Sequence, residues 1–404
     1  MKRVGIVLPR WHPGVVGGAE TLGWQWATLL KDRYPIELLT TCALDLATWA
    51  NDLPRGTTEE NGITVRRFLV SQGRTYYWHE LHVRLLTACA QLSLAASSGS
   101  PRLVPWSQAL QEEFIRRQGP YSVELSNFLA GEWREYRALI FLPYLYPTTY
   151  FSARLIPRSL FVLAPLLHDE TPARLPVYGH MARRARAVLW NTPAERAFGE
   201  SMWGQLPGRI AGMGIETRGR KPAELGFPYL LYSGRIDSHK GCDELVNHFL
   251  RYKRERESSL RLVLTGKDEL GLPAHPDIDF RGFVSEEEKF ELMAGARLFV
   301  MLSPHESLSI STLEAMAQKT PVLVSANAPV LLEHVRESGG GFACRDYQDF
   351  ARAVDRMLDQ PGEGAEMGRR GREYVLASYS HDRVQAVLLN TIEEAAPAPI
   401  AEET

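Results

Sequence analysis

The sequence predicts an α/β protein made of two doubly wound domains, each with a mostly parallel sheet. Its 404 residues are too many for one ordinary core, and two domains of roughly 200 residues each are the natural expectation. Strand-like and helix-like segments alternate through the first half, and the alternation starts again at Tyr229. A stretch rich in Gly, Pro and Arg, residues 204–228, indicates an interdomain linker. Such sheets bind ligands at the carboxyl ends of their strands.

The first domain is expected to open with a strand at 4–8, a glycine loop at 12–18 and a helix at 19–30. An Asn-Gly turn signal and a Thr-Pro helix start mark later boundaries. The remaining predicted elements are strands at 36–40, 64–69, 139–142, 160–163 and 188–191 and helices at 78–97 and 107–118.

The second domain is expected to repeat this architecture. Its predicted elements are strands at 229–233, 260–265, 279–281, 298–302 and 322–325 and helices at 242–252, 285–294, 311–318 and from about 347 onward. We expect domains at 1–210 and 211–380, with residues 381–404 packing back on the first.

Composition predicts a soluble, cytoplasmic protein. Apolar residues make up 45% and charged residues 23% of the chain, as in ordinary globular domains. The four cysteines lie far apart, which favours reduced thiols over disulfides or a zinc site. The longest apolar run, residues 138–150, contains two prolines and is too short to span a bilayer. No signal peptide and no nucleic-acid partner are expected.

The charge is distributed unevenly along the chain. Residues 1–215 carry 23 Lys and Arg against 17 Asp and Glu, whereas residues 216–404 carry 23 against 31. A basic first half suggests contact with an anionic partner, such as a lipid-linked acceptor or the inner face of the plasma membrane. Ordinary solvated surface is an equally good interpretation.

The most specific motif is a strand, a polar turn and a helix start around residues 298–317. Unpaired N–H groups at a helix start, aided by the helix dipole, form an anion site that suits a diphosphate. Ser307 and Ser309 add hydroxyls, and Leu308 keeps the turn against the sheet. Glu306 lies in the turn, and Glu314 one turn into the helix could accept hydrogen bonds from a ribose diol. A capping acid and a solvated glutamate are the structural alternative.

A second motif follows the strand at 229–233. Gly234 lets the backbone approach a ligand closely, Arg235 offers a planar fork for phosphate oxygens, and Lys240 adds a point charge. The spacing is wrong for a Walker A loop. As the alternative, Arg235 and Lys240 could simply pair with Asp237 and Asp243.

Taken together, these residues resemble a known family. The chain resembles the family 4 (group 1) retaining glycosyltransferases in a set of short motifs. These are the Gly-Arg and Lys-Gly pairs of the second motif, Gly266, the Gly-Phe-Val run ending at Val284, and the Glu-x7-Glu spacing. The resemblance covers nearly the whole second domain. It continues more thinly in the first through Gly17, Gly18 and His168.

The resemblance implies the GT-B fold, in which two Rossmann-like domains face each other across a deep interdomain cleft. The first would bind the acceptor and the second the nucleotide-sugar donor. Arg235 and Lys240 would stabilise the leaving nucleoside diphosphate, Glu314 would hold the ribose, and Glu306 the sugar hydroxyls or the adjacent phosphate.

The resemblance also assigns the remaining site residues. The backbone of Ser307, Leu308 and Ser309 would cradle the diphosphate beside Gly234, and Val284 would flank the base. Gly17 and Gly18 would close over the donor, and His168 would face its sugar. The alternative for His168 is a polar residue that ties down a strand end.

The sequence departs from the family pattern after residue 325, where a Gly-Gly-x-x-Glu run is usual and Ala326 begins a different segment. This puts a donor contact there in doubt. The Asp277-Ile-Asp279 run matches a metal-binding pattern of other sugar transferases, but a loop acid is the better interpretation. We expect no metal and no cofactor.

The sequence therefore predicts a retaining transferase that moves a hexosyl group from a UDP- or GDP-linked sugar to an acceptor hydroxyl. A saccharide or lipid-linked intermediate of envelope polysaccharide or lipopolysaccharide synthesis is the expected acceptor. Two alternatives share the fold: a non-catalytic subunit of a polysaccharide assembly complex, and a sugar-nucleotide isomerase or hydrolase. A nicotinamide dehydrogenase would need Gly-x-Gly-x-x-Gly after the first strand, and the chain lacks it there.

Overall fold

The computed structural model describes residues 1–15, 17–94 and 103–394. The chain divides into two compact units: the first takes in residues 1–212 and resumes at Gln385, and the second is Met213–Val384. Each unit contains a largely parallel sheet with helices between its strands, which confirms the predicted α/β architecture. The predicted return of the chain end is described only as far as residue 394.

The sheet of the first unit has eight strands in the order β3-β4-β2-β1-β5-β6-β7-β8. Neighbouring strands are parallel except for β3 and β4, which form an antiparallel hairpin. Val4 of the first strand lies beside Ile36 on one side and Ala138 on the other. The strands are β1 Arg3–Val7, β2 Ile36–Thr41, β3 Gly56–Glu60, β4 Ile63–Phe68, β5 Tyr136–Phe141, β6 Phe161–Leu163, β7 Ala187–Trp190 and β8 Gly208–Ile210.

Two edge strands of this sheet were not predicted. β3 is polar and largely exposed, so it lacks the apolar alternation that marks a strand. β8 lies inside the stretch predicted to be a linker, and that prediction is wrong for these three residues. A Cβ on Gly208 would lie 2.3 Å from the Val188 carbonyl oxygen, so the close pairing of β8 with β7 requires glycine.

Helices cover the first sheet and return to it from the end of the chain. The Tyr34 hydroxyl donates to Glu393 at 3.2 Å, and the Gln385 side chain donates to the Leu29 carbonyl at 2.5 Å. The helices are α1 Gly18–Leu30, α2 Tyr76–Leu94, α3 Gln108–Gln118, α4 Val123–Glu132, α5 Pro147–Ala153, α6 Pro176–Arg184 and α7 Pro193–Trp203. None of the described helices combines the length and apolar composition that a membrane span needs.

The sheet of the second unit has six parallel strands in the order β11-β10-β9-β12-β13-β14. The first strand of the unit thus lies at the centre, next to the fourth, which is the Rossmann arrangement with its switch point between them. The strands are β9 Tyr229–Ser233, β10 Arg261–Thr265, β11 Ile278–Phe280, β12 Leu298–Met301, β13 Val322–Ser325 and β14 Gly341–Cys344. The helices are α8 Cys242–Glu255, α9 Glu286–Gly295, α10 Ile310–Ala317, α11 Pro329–Ser338, α12 Tyr347–Asp359 and α13 Pro361–Tyr379. The last helix, α14 His381–Glu393, starts in this unit and belongs to the first unit from Gln385 onward.

Candidate functional site

The switch point of the second sheet brings the two predicted motifs together. β9 and β12 are adjacent parallel strands, so the loops that follow them leave the same edge of the sheet. The loop after β9 starts at Gly234, whose φ of 152° favours glycine. A Cβ on Gly266 would lie only 2.0 Å from the Gly234 carbonyl oxygen. Gly234 is therefore favoured by its backbone conformation, and Gly266 is required by close backbone packing at the strand ends.

An ion pair joins the two loops directly. The Lys240 ammonium donates to Glu306 Oε1 at 2.7 Å, and the two side chains are 31% and 11% exposed. Asp237 caps the turn that ends at Lys240 by accepting its backbone N–H at 2.8 Å. A Cβ on Gly241 would meet the Leu302 carbonyl oxygen at 2.3 Å, so this turn packs against the end of β12. Lys240 thus pairs across the switch point.

Arg235 has a different partner. Its Nε contacts the carboxylate of Asp237. This is the ion pair expected if the second motif were simply part of the protein surface. The Arg235 side chain is nevertheless 53% exposed, whereas that of Asp237 is 12% exposed. The guanidinium is therefore held at its base while much of it remains accessible to an anion.

The helix that follows β12 begins with an unusual cap. Ser309 has φ 62° and ψ 71°, a left-handed conformation that is uncommon for serine. Its hydroxyl lies 2.8 Å from that of Thr312, and the Leu313 N–H donates to the Ser309 carbonyl at 3.2 Å. The N–H groups of the first helical turn have no partner within α10 and can bind an anion.

Glu314 lies inside the protein. The alternative interpretation, that it is a solvated glutamate on the helix surface, is therefore wrong. Its side chain is 14% exposed, and Oε1 accepts from the Lys289 ammonium at 3.0 Å. Burial raises the pKa of the Glu314 carboxyl above its usual value, and the charge of Lys289 offsets part of that rise. Lys289 also donates to Glu286 at 2.9 Å. Sequence reasoning missed Lys289 because it lies on α9, a helix that neither motif includes.

The loop between β11 and α9 carries the predicted base-flanking residues. The Gly266 N–H donates to the Gly282 carbonyl at 2.7 Å, and Gly282 has φ 64°. Val284 is half-buried, whereas Phe283 is 78% exposed. The backbone of this loop is thus tied to the end of β10, next to β9.

The Asp-x-Asp run has structural partners. Asp277 lies 3.2 Å from the Lys253 ammonium, and Asp279 pairs with Arg281 at 3.1 Å. Within residues 1–15, 17–94 and 103–394, no group of three His, Cys, Asp or Glu side chains is placed to hold a metal. The two aspartates therefore act as ion-pair partners along the edge of the sheet.

In the first unit, Gly17 caps α1, and its backbone is extended. A Cβ there would lie 2.2 Å from Oε2 of Glu20, a carboxylate that pairs with Arg10 at 2.5 Å and is only 7% exposed. Gly18 is unobstructed. A side chain at position 17 would therefore make the Glu20 carboxylate, and its pair with Arg10, shift.

His168 lies on the loop that follows β6. Its Nε2 is 3.8 Å from Oε2 of Glu170, and its side chain is 36% exposed. The loop is held by buried Glu195, which accepts the N–H groups of Leu167 at 2.6 Å and Asn191 at 2.5 Å. Glu195, which sequence reasoning did not identify, therefore fixes the backbone that presents His168.

Replacing Glu195 with alanine is expected to lower the free energy of unfolding by about 3 kcal/mol, because two buried N–H groups lose their acceptor. The matched control is Glu200→Ala on the same helix, which removes a surface pair with Arg196 and should cost less than about 0.5 kcal/mol. Urea unfolding measures both. Equal losses in the two variants would contradict the role given to Glu195.

Comparison with known proteins supports the interpretation of these motifs. Residues 215–374 match the sequence model of the family described as glycosyl transferases group 1. A GDP-mannose-dependent phosphatidylinositol dimannoside mannosyltransferase of Mycobacterium tuberculosis is 27% identical over 173 residues, covering 40% of this chain and 43% of that protein. A lipopolysaccharide core biosynthesis glycosyltransferase of Rhizobium meliloti is 25% identical over 175 residues, covering 41% and 49%.

A solved structure matches over nearly the full length. It is that of Anabaena HepE in complex with UDP and glucose, with a TM-score of 0.66, 16% identity and coverage of 97% of this chain and 99% of that one. This likeness shows that the fold is GT-B. The sequence relatives, in contrast, are matched over about half of their length. The predicted resemblance to group 1 glycosyltransferases is thus confirmed over residues 215–374.

Proposed function

We propose that the protein is a retaining glycosyltransferase that moves a hexosyl group from a nucleoside-diphosphate sugar to an acceptor hydroxyl. The proposal starts from the match of residues 215–374 to group 1 glycosyltransferases. The observation that carries it is the 2.7 Å contact between Lys240 and Glu306, which places a cation beside the turn that leads into α10. The donor diphosphate would bind between this cation, Arg235 and the first turn of that helix.

The proposed reaction depends on stabilising the leaving group. As the bond between the sugar and the diphosphate breaks, negative charge builds on the departing phosphate oxygen, and fixed cations and N–H groups lower the barrier. Lys240 and Arg235 supply that charge, and no metal ion is required in this scheme. Glu306 is engaged by Lys240 and is assigned to donor hydroxyls. We therefore favour attack from the same face, with the departing phosphate taking the proton of the acceptor and the anomeric configuration retained.

We further propose a UDP- or GDP-linked hexose as the donor. The Mycobacterium relative is named for GDP-mannose, and the Anabaena structure contains UDP.

An envelope saccharide or lipid-linked intermediate as acceptor agrees with the lipopolysaccharide role named for the Rhizobium relative. The acceptor would be handled by the first unit, with its candidate surface in the stretch 76–117, of which residues 95–102 lie outside the described residues. The roles of Gly17, Gly18 and His168 toward the donor stay predictions, as does contact with an anionic membrane.

The pH dependence of nucleoside binding is a further prediction. The pKa of Glu314 is raised, and only the ionised carboxylate is a full acceptor for a ribose diol. Affinity should be constant above that raised pKa and fall as the pH drops through it. The measurement is titration with uridine or guanosine, because a diphosphate itself titrates near pH 6, at about the second pKa of a phosphate.

The control for this prediction is Glu314→Gln, which cannot titrate. Its affinity should be lower than that of the wild type and should not change over the same pH range. An acid-induced loss of affinity that persists in Glu314→Gln would assign the titration to another group.

One experiment distinguishes glycosyl transfer from the two alternative functions, which are a sugar-nucleotide hydrolase or isomerase and a non-catalytic subunit. The purified protein is screened by thermal shift against UDP-, GDP- and ADP-sugars, and the stabilising donor is incubated with and without acceptor. Transfer with retained configuration supports the proposal. Free sugar or an epimerised donor without acceptor would show a hydrolase or isomerase, and an inert protein that binds donor would show a non-catalytic subunit.

A further inference from the structure

A buried histidine lies directly behind the turn that leads into α10. His334 is on α11, is fully buried, and its Nε2 lies 2.8 Å from the carbonyl oxygen of Leu308. Its Nδ1 lies 2.9 Å from the hydroxyl of Tyr374 on α13. Two helices and the turn before α10 therefore meet at one imidazole ring, and one of its partners is a backbone atom of the candidate anion site.

The partners determine the protonation state of this ring. A carbonyl oxygen can only accept, so Nε2 must carry the proton that it donates to Leu308. Nδ1 then has the free electron pair and accepts from the Tyr374 hydroxyl. Burial lowers the pKa of His334 to about 4, so the ring is neutral at physiological pH. The imidazole is thus fixed in one tautomer with both nitrogens satisfied.

This contact has a geometric consequence for the next peptide group. The carbonyl of Leu308 and the N–H of Ser309 belong to one planar trans peptide, in which they point in opposite directions. Holding the carbonyl toward His334 therefore turns the Ser309 N–H away from the interior. Ser309 also has a left-handed backbone, which is uncommon for a residue other than glycine and persists only where its surroundings maintain it.

We propose that His334 is a positioning residue for diphosphate binding: by holding the Leu308 carbonyl, it directs the Ser309 N–H toward the phosphate oxygens of the donor. This inference rests on the proposed function, because it takes the turn before α10 to be the diphosphate site. His334 does not touch the ligand. It acts through one peptide plane, and its effect is confined to the diphosphate part of the nucleotide.

The test uses two matched variants of the full-length protein. In His334→Gln, the amide reaches the place of Nε2 and can still donate to Leu308. In His334→Asn, the shorter amide takes the place of Nδ1 and can reach only Tyr374. Both variants put a neutral amide in the same buried position, so they differ mainly in which partner they keep. Calorimetric titration with UDP and GDP, and with uridine and guanosine, separates the diphosphate from the rest of the nucleotide.

The expected result is that His334→Gln keeps the nucleoside-diphosphate affinity within about threefold, whereas His334→Asn loses about tenfold. Nucleoside affinity should be unchanged in both. Equal nucleoside-diphosphate affinities in the two variants, or a parallel loss of nucleoside affinity, would overturn the inference. A wild-type protein that binds neither UDP nor GDP would instead refute the proposed function, and the inference with it.

Tyr374→Phe provides the same test if the His334 variants do not fold, because it changes a less buried side chain. Without the hydroxyl, Nδ1 loses its donor, and the tautomer that turns a lone pair toward the Leu308 carbonyl becomes accessible. We expect a loss of about threefold in nucleoside-diphosphate affinity with nucleoside affinity unchanged. Wild-type affinity for both ligands would contradict the inference.

Discussion

Replacing Lys240 with alanine is expected to lower the turnover of the donor by about two to three orders of magnitude. Lys240 is the cation that links the two loops of the switch point through its 2.7 Å contact with Glu306. Its charge acts most strongly when the diphosphate departs, because that is when negative charge builds up on the phosphate. The affinity for the intact donor should therefore change much less than the turnover.

Steady-state kinetics and donor titration on the same preparation test whether turnover falls more than donor affinity. The control is Lys221→Ala, which removes an exposed lysine elsewhere in the second unit and should leave both quantities unchanged. Arg235→Ala should share the pattern of Lys240→Ala, since its guanidinium lies on the same loop. A Lys240→Ala variant with normal turnover and weakened donor binding would show that Lys240 only anchors the ground state.

The second large effect is expected at Glu314. Glu314→Ala should weaken nucleotide affinity by about 100-fold, because a buried carboxylate that accepts two hydroxyl groups contributes charge-assisted hydrogen bonds. In this variant Lys289 still has its pair with the carboxylate of Glu286. Calorimetric titration with UDP or GDP measures the loss.

The structure offers a matched control for this prediction. Glu286 contacts the same ammonium but its side chain is 78% exposed, so Glu286→Ala should change nucleotide affinity by less than about threefold. The ribose contact itself is tested with 2′- and 3′-deoxynucleotides, which should bind the wild type more weakly than the parent nucleotide. In Glu314→Ala, this difference should vanish. A Glu314→Ala variant with wild-type affinity would defeat the ribose assignment.

Local sequence signals predicted most of the elements that build the site. β9 and β13 were predicted residue for residue, because near-continuous apolar runs ending in turn residues are typical of buried parallel strands. Gly234 was predicted as a position of close backbone approach, and Gly241 belongs to the Lys-Gly pair of the same motif; both have positive φ in the structure. Such features depend only on neighbours along the chain.

The contacts that were missed depend on residues far apart in sequence. Lys240 and Glu306 are 66 positions apart, and Leu308 and His334 are 26 apart. From the sequence alone, a charged side chain can equally be paired with a residue nearby in the chain, as Lys240 was with Asp243 in the alternative interpretation. The one signal for His334 is a polar ring on the helix face that buries Val330 and Leu331. A buried polar group needs partners, but the sequence does not show which ones.

The most direct measurement of the central claim is a crystal structure with UDP or GDP bound. We expect the diphosphate within hydrogen-bonding distance, about 3 Å, of the Lys240 ammonium and of the Ser309 N–H, with the ribose hydroxyls on Glu314. A nucleotide bound elsewhere, or one whose diphosphate faces away from Lys240 and the start of α10, would contradict it.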